Sequence, residues 1–116
     1  MTELVALLST GEGTWAQVAG IIKQGDWENI ILIGNEFAKR FQIDKPHEFI
    51  EISSTRLMDM KEELREKLYN KIKGTEAALS IASGDGKEHM ALISALLSIP
   101  VGVRFTALTK DGIVML

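Results

Sequence analysis

Residues 4–22, LVALLSTGEGTWAQVAGII, pass from an unbroken apolar run through a glycine-rich turn into a segment with helical spacing. Leu4 to Leu8 offers no polar position, which suits a strand buried on both faces better than one with a wet face. Trp15, Val18, Ile21 and Ile22 then recur at the helical period, and Thr14 with Gln17 forms a capping-box pair that predicts the helix start. Gly25 predicts its stop. A doubly buried strand feeding a helix is half of a parallel β-α-β unit, because parallel neighbours need a long crossover whose helix covers the sheet.

The same alternation continues outward. Ile30 to Ile33, closed by Gly34-Asn35, reads as a second buried strand, and a short helix through Phe37, Ala38 and Phe41 follows before Pro46. Phe49 to Ile52 predicts a third strand, with Ser53, Ser54 and Thr55 as cap candidates for the longest helix. Leu57, Met60, Leu64, Leu68 and Ile72 line one face of that helix and Gly74 ends it. The charges of residues 59 to 73 read as an ordinary solvated face with i,i+4 pairs such as Glu63–Lys67. Ala77 to Ala82 predicts the fourth strand, residues 87 to 98 the fourth helix, and Val101 to Leu108 the fifth strand. Lys110-Asp111-Gly112 is a turn, so Ile113 to Leu116 returns antiparallel at the edge. The expected fold is α/β: a single Rossmann-like domain over residues 1–116, with a mainly parallel six-stranded sheet, helices on both faces and the last strand antiparallel.

Composition fits one globular domain, with 116 residues, 46% hydrophobic and 25% charged. A net charge of −3 argues against a broad electrostatic grip on duplex DNA or an anionic membrane, and leaves a local anion site open. Without cysteine there is no disulfide framework, thiolate metal site or cysteine nucleophile. Met-Thr-Glu-Leu-Val carries no basic region or long apolar run, so neither a signal peptide nor a membrane span is predicted, and a cytoplasmic location is expected. Neither His47 nor His89 has a second ligand at metal-binding spacing, so no metal site and no cofactor are expected.

In sheets of this kind ligands settle beyond the C-terminal strand ends, where strand order reverses. With strand four beside strand one, two glycine-rich loops border the same crevice. The candidate ligand residues are Ser9, Thr10, Gly11, Gly13 and Thr14 from the first, and Ser83, Gly84, Asp85, Gly86 and Lys87 from the second. A lysine in the first turn of a helix meets an unfavourable dipole worth about 0.3–1 kcal/mol, so Lys87 asks for a negative partner. A phosphate would serve, with glycines permitting close backbone approach. Alternatively Asp85 caps the helix, Glu88 completes the capping box, and Lys87 is solvated or paired with one of those carboxylates. Gly11-Glu12-Gly13-Thr14-Trp15-Ala16 also fits the dinucleotide pattern G-x-G-x-x-G/A. Against a free-standing NAD enzyme, strand two ends in Gly34-Asn35-Glu36 without a clear acidic terminus, Glu12 would repel pyrophosphate, and no second domain holds a substrate. The hydroxyls of Ser9, Thr10 and Thr14 can donate to a ligand, but individually they read rather as turn and cap groups. Trp15 and Trp27 read as packing anchors, with Trp15 close enough to the first loop for base stacking.

The stretch from Leu79 through Ser83-Gly84-Asp85-Gly86-Lys87 to Leu92, followed by Val101 to Phe105, resembles the fourth-strand and fourth-helix region of CRISPR-associated Rossmann-fold (CARF) domains. That family often carries a Thr-Gly-Gly-Thr-Lys-like loop there. Ser83, Gly84 and Lys87 match it, whereas Asp85 stands where glycine is usual and Gly86 where a hydroxyl residue is usual. The loop Ser9 to Thr14 is placed like the family's other ligand loop, and the terminal hairpin also corresponds. The resemblance implies a homodimer that binds a cyclic oligoadenylate second messenger across its two-fold axis, in CRISPR-linked antiviral signalling. It further implies ligand capture, control of a separate effector protein, or cleavage of the ring as a metal-independent ring nuclease. Cleavage by attack of a ribose 2′-hydroxyl on the adjacent phosphate needs orientation and charge stabilisation. Lys87 is the candidate for the phosphorane charge, and Ser9 or Thr10 for aligning the ribose.

Histidine is a candidate acid or base by residue type, yet three residues into a helix His89 reads rather as a surface or interface side chain. Met90, Ala91, Leu92, Ile93, Ala95, Leu96, Leu97 and Ile99 leave their helix little polar surface, which predicts burial on more than one side. A dimer contact or a neighbouring helix of the same subunit would supply the second side. Two other functions remain open: a protein-interaction dimer whose loops bind nothing, and a Rossmann-like domain for another nucleotide.

Overall fold

In the computed structural model, which describes residues 2–9 and 14–116, the alternation of apolar strands and helices becomes a six-stranded α/β sheet of Rossmann-like form. The elements are β1 (Thr2–Leu8), α1 (Trp15–Gln24), β2 (Trp27–Gly34), a 3₁₀ helix (Glu36–Arg40), β3 (Glu48–Glu51), α2 (Leu57–Tyr69), β4 (Glu76–Ser80), α3 (Gly86–Leu97), β5 (Gly102–Thr109) and β6 (Gly112–Met115). Spatial order is β3-β2-β1-β4-β5-β6. All pairs are parallel except β5 with β6, whose turn closes on Gly112 at φ 105°, a left-handed conformation that glycine adopts without a Cβ penalty. Strand order reverses between β1 and β4, which pair through Ala6↔Ser80 at their C-terminal ends.

Because successive strand residues face opposite sides, β1 feeds two cores at once. Leu4, Ala6 and Leu8 pack with Val18, Ile21 and Ile22 of α1 on one face. Val5 and Leu7 pack with Leu64 and Leu68 of α2 and Leu92 and Leu96 of α3 on the other. Leu4 to Leu8 are completely buried, which accounts for the absence of any polar residue among them. Each leucine buried there contributes about 1.5–3 kcal/mol relative to exposure, so the reversal point is built on the most heavily packed strand. No helix among the described residues is long and apolar enough to cross a membrane.

The element ends depart from the sequence-based expectation where a distant carboxylate intervenes. Gly74 does not end the long helix. It stops at Tyr69 and is capped by Asn70, leaving Ile72 outside it, and the backbone N–H groups of Lys73 and Gly74 donate to the Glu3 carboxylate at 2.9 and 2.7 Å. Glu3 is buried and also accepts from Asn29 Nδ2 at 3.1 Å. Burial alone would raise its pKa, but these donors outweigh it and hold the carboxyl below the usual range.

Ser53, Ser54 and Thr55 do not cap α2 either: Arg56 occupies the cap position without a side-chain bond. The Ser53 and Ser54 N–H groups turn instead to Glu63, at 3.1 and 3.0 Å. Glu63 is therefore no ordinary member of a solvated face. The Thr14–Gln17 capping box is also absent; Thr14 holds the cap position of α1 with no side-chain cap bond.

Candidate functional site

Adjacent parallel strands bring their C-terminal ends together, and here one hydrogen bond records it. The Ser9 backbone N–H, just beyond β1, donates to Ser83 Oγ, beyond β4, at 2.8 Å. Ser83 is almost fully buried, so this bond fixes the loop rather than decorating it. The Ser9 carbonyl in turn accepts from Trp15 Nε1 at 2.9 Å. Trp15 packs on Phe37 and Phe41 with ring centroids 5.8 Å away in each case, an aromatic cluster that makes it a packing anchor at the start of α1.

The second loop is locked from below. His89 Nε2 lies 2.9 Å from the Ser83 carbonyl, and in the tautomer protonated at Nε2 the ring donates to it. His89 is thus turned back onto the loop that precedes its helix and positions that loop. Gly84 has φ 106°, and a Cβ there would overlap Leu7 Cδ2 and come 3.0 Å from His89 Nε2. Only glycine lets the chain pass so close to the end of β1 in that conformation.

At the start of α3 the capping arrangement is the one offered as the alternative to a phosphate site. Asp85 accepts from the Glu88 N–H at 2.8 Å, and Glu88 Oε1 accepts from the Asp85 N–H at 2.9 Å. Both carboxylates are committed to the backbone, and α3 gains a cap worth about 1 kcal/mol. Lys87 pairs with neither. Its Nζ donates to the Thr55 carbonyl at 2.6 Å, across to the turn between β3 and α2. Together they border a cleft of about 260 Å³ whose walls include Asn35, Ser53, Ser54, Asp85 and Glu88.

The candidate residues therefore divide. Ser9, Ser83 and Gly84 gather where β1 and β4 end, while Asp85, Gly86 and Lys87 open α3 beside the β3–α2 turn. Thr10, Gly11 and Gly13 lie outside the described residues, and Thr14 stands at the foot of α1. Asn35, Ser53, Ser54 and Thr55 were not among the sequence-based candidates. Their signal was positional: each follows the C-terminal end of β2 or β3, on the same edge of the sheet. Asn35 also caps the 3₁₀ helix, accepting from the Ala38 N–H at 3.2 Å.

In chemical terms the edge offers the hydrogen-bonded Ser9–Ser83 pair, an ammonium held by a neutral carbonyl that a stronger acceptor can displace, and several hydroxyl and amide groups. Among the described residues no group of three or more His, Asp or Glu side chains is gathered as a metal site. Compared with known proteins, the chain matches no protein-family model and no curated protein.

Proposed function

We propose that the chain is a CARF-like domain that binds a cyclic oligoadenylate at the sheet edge where β1 and β4 end, with two copies sharing one ring. The observation that carries this reading is the 2.8 Å bond from the Ser9 N–H to Ser83 Oγ. It ties the end of β1 to the loop that follows β4 at the reversal point, and a pre-organised frame lowers the cost of ordering a site around a ligand. Lys87 supports it further, because its ammonium is held only by a neutral carbonyl, and a phosphate oxygen in that place adds the attraction of opposite charges. The cysteine-free sequence is compatible with the cytoplasm, where we place the protein.

Ring cleavage is the catalytic form of the same proposal. A 2′-hydroxyl attacks the adjacent phosphorus, the P–O5′ bond breaks, the hydroxyl proton passes to the 5′-oxygen, and a 2′,3′-cyclic phosphate is left. Lys87 would stabilise the phosphorane in that step, with Ser9 or Thr10 aligning the ribose.

The test is to add cyclic tetra-adenylate and cyclic hexa-adenylate to purified protein, follow the melting temperature, and analyse the nucleotide by chromatography. A raised melting temperature with an intact ring is expected of a sensor that signals to a separate effector protein, and linear product is expected of a ring nuclease. No response to either ring overturns the proposal. That result would select a second reading, a non-enzymatic interaction dimer or a domain for another nucleotide, which draws on the carboxylates of Asp85 and Glu88 standing beside Lys87.

A further inference from the structure

The second strand outruns the strand beside it. β2 has eight residues and β3 four, and their ladder begins only at Ile31↔Glu48, so residues 27–30 of β2 have no strand partner on that side. On its other side the same stretch pairs with β1 through Thr2↔Trp27, Glu3↔Asn29 and Leu4↔Ile30. Among the described residues no hydrogen bond from 41–47 reaches the backbone of 27–30. The open side therefore presents N–H and C=O groups to whatever chain can pair with them.

Between residues 27–30 and 45–48 lies a cleft of about 410 Å³. The chain ahead of β3 is drawn off toward the C-terminal end of α1, where Lys45 Nζ donates to the Ile22 and Gly25 carbonyls at 2.7 and 3.0 Å, an ammonium on the negative end of the helix dipole. Trp27 Nε1 donates to the Ile21 carbonyl at 2.8 Å, and its ring lies so near Gly25 that a Cβ there would overlap it. His47 Nδ1 lies 2.9 Å from the Lys45 carbonyl, and protonated at that nitrogen the ring donates to it. Both walls are thus held by bonds of their own, and the notch is pre-formed.

We propose that this notch takes an extended basic segment of a partner protein, added to β2 as a strand in line with β3. Backbone and charge both argue for that occupant. Four strand residues span about 13 Å and turn about two N–H and two C=O groups to the open side, a repeat that an extended peptide backbone matches. Asp26, Glu28 and Asp44 are exposed on or next to the two walls, and among the described residues none of them has an ion-pair partner. Against these three carboxylates α1 sets Lys23 in its last turn, while the Lys45 ammonium is turned onto helix carbonyls and Glu48 is held by Lys71 at 3.0 Å. The rim is therefore negative and complementary to lysine or arginine side chains. The outer edge of β3 is guarded by contrast, its four residues bracketed by the Lys71–Glu48 pair and by Lys39–Glu51 at 2.6 Å. The notch stands at the N-terminal end of β2, whereas Ser9 and Ser83 follow the C-terminal ends of their strands, so it does not depend on the nucleotide reading.

The probe is the blocked pentapeptide acetyl-Lys-Val-Arg-Val-Lys-amide, whose alternation favours an extended chain with one basic side. Titrated to about 1 mM into nitrogen-15-labelled protein, it is expected to shift the amide signals of residues 27–30 and of His47 and Glu48, to leave that of Ser83 in place, and to bind with a dissociation constant below about 1 mM. Two N-methylated versions distinguish strand addition from charge attraction, one methylated at the valines and one at the basic residues. Alternate residues of a strand turn their N–H groups to opposite sides, so one version should lose about tenfold or more in affinity and the other less than about threefold. Glu28→Lys should weaken binding about tenfold, whereas Glu66→Lys, the same change of charge at an exposed site on α2, should not. Circular dichroism melts establish that the variants fold, and Glu28→Gln replaces the first if it does not. No shift at about 1 mM, shifts confined to other residues, N-methylated versions that bind alike, or an equal response of the Glu28 and Glu66 variants overturns the assignment.

Discussion

Replacing Glu63 by Gln removes one charge from the turn that carries Thr55, and the effect can be worked through quantitatively. The Glu63 carboxylate accepts from the N–H groups of Ser53 and Ser54, from Ser53 Oγ at 2.8 Å and from Lys67 Nζ at 2.7 Å. Partial burial acts to raise its pKa, and the lysine and the serine turn overcome that, taking it from 4.5 down to about 2. At about 1.36 kcal/mol per pH unit the shift sets a ceiling of roughly 3 kcal/mol. Lys67 is 44% exposed, so solvent screens part of its share, and about 2 kcal/mol is the expected contribution. A carboxyl whose folded pKa is depressed stabilises the fold fully above its unfolded pKa, and the stabilisation is lost as pH falls toward the folded value. Urea unfolding of wild type and E63Q should therefore differ by about 2 kcal/mol at pH 7 and equally at pH 5. The gap should shrink from about pH 4.5 downward and nearly close by about pH 2. A difference below about 0.5 kcal/mol at neutral pH, or one that does not change on acidification, would refute the account of the turn.

Glu3→Leu should cost about 3 kcal/mol or more, measured as a lower urea midpoint, because it orphans the Lys73 and Gly74 N–H groups beneath the sheet. Ser83→Ala removes the acceptor of the Ser9 N–H; stability should fall by about 1–2 kcal/mol, and the Ser9 amide should exchange faster with deuterium by NMR. Lys87→Ala, at an exposed position, should leave the melting temperature of the free protein within the effect of about 0.5 kcal/mol, while reducing its response to a cyclic oligoadenylate by at least about tenfold in affinity. An equal response in wild type and variant would remove the lysine from the site.

The central strand was legible because its signal is local. An apolar run from Leu4 to Leu8 allows no wet face, and period and glycine placement announce where strand gives way to helix. The adjacency of β1 and β4 follows from the alternation together with the preferred strand order, so the approach of Ser9 to Ser83 was also within reach. The Asp85–Glu88 capping box, whose two members stand three positions apart, could be read off as one of two alternatives.

The partners of the charged groups were decided elsewhere. Glu3 finds Lys73 and Gly74, Lys87 finds Thr55, and Glu63 draws in the serines that seemed to be helix caps. Each pair is far apart in the chain or crosses between elements, and depends on which strand ends stand side by side after the sheet has formed. Helix 87–98 shows the same division: its apolar composition is written in the sequence, yet only the packing of the helix in the fold decides that Ala91, Leu92, Ala95 and Leu96 are buried while Met90 and Leu97 stay exposed. Periodicity fixes which elements form because it is a property of neighbouring residues. Contacts of polar groups are a property of the assembled surface, where burial makes an unmet donor expensive and selects whichever acceptor the topology has brought within reach.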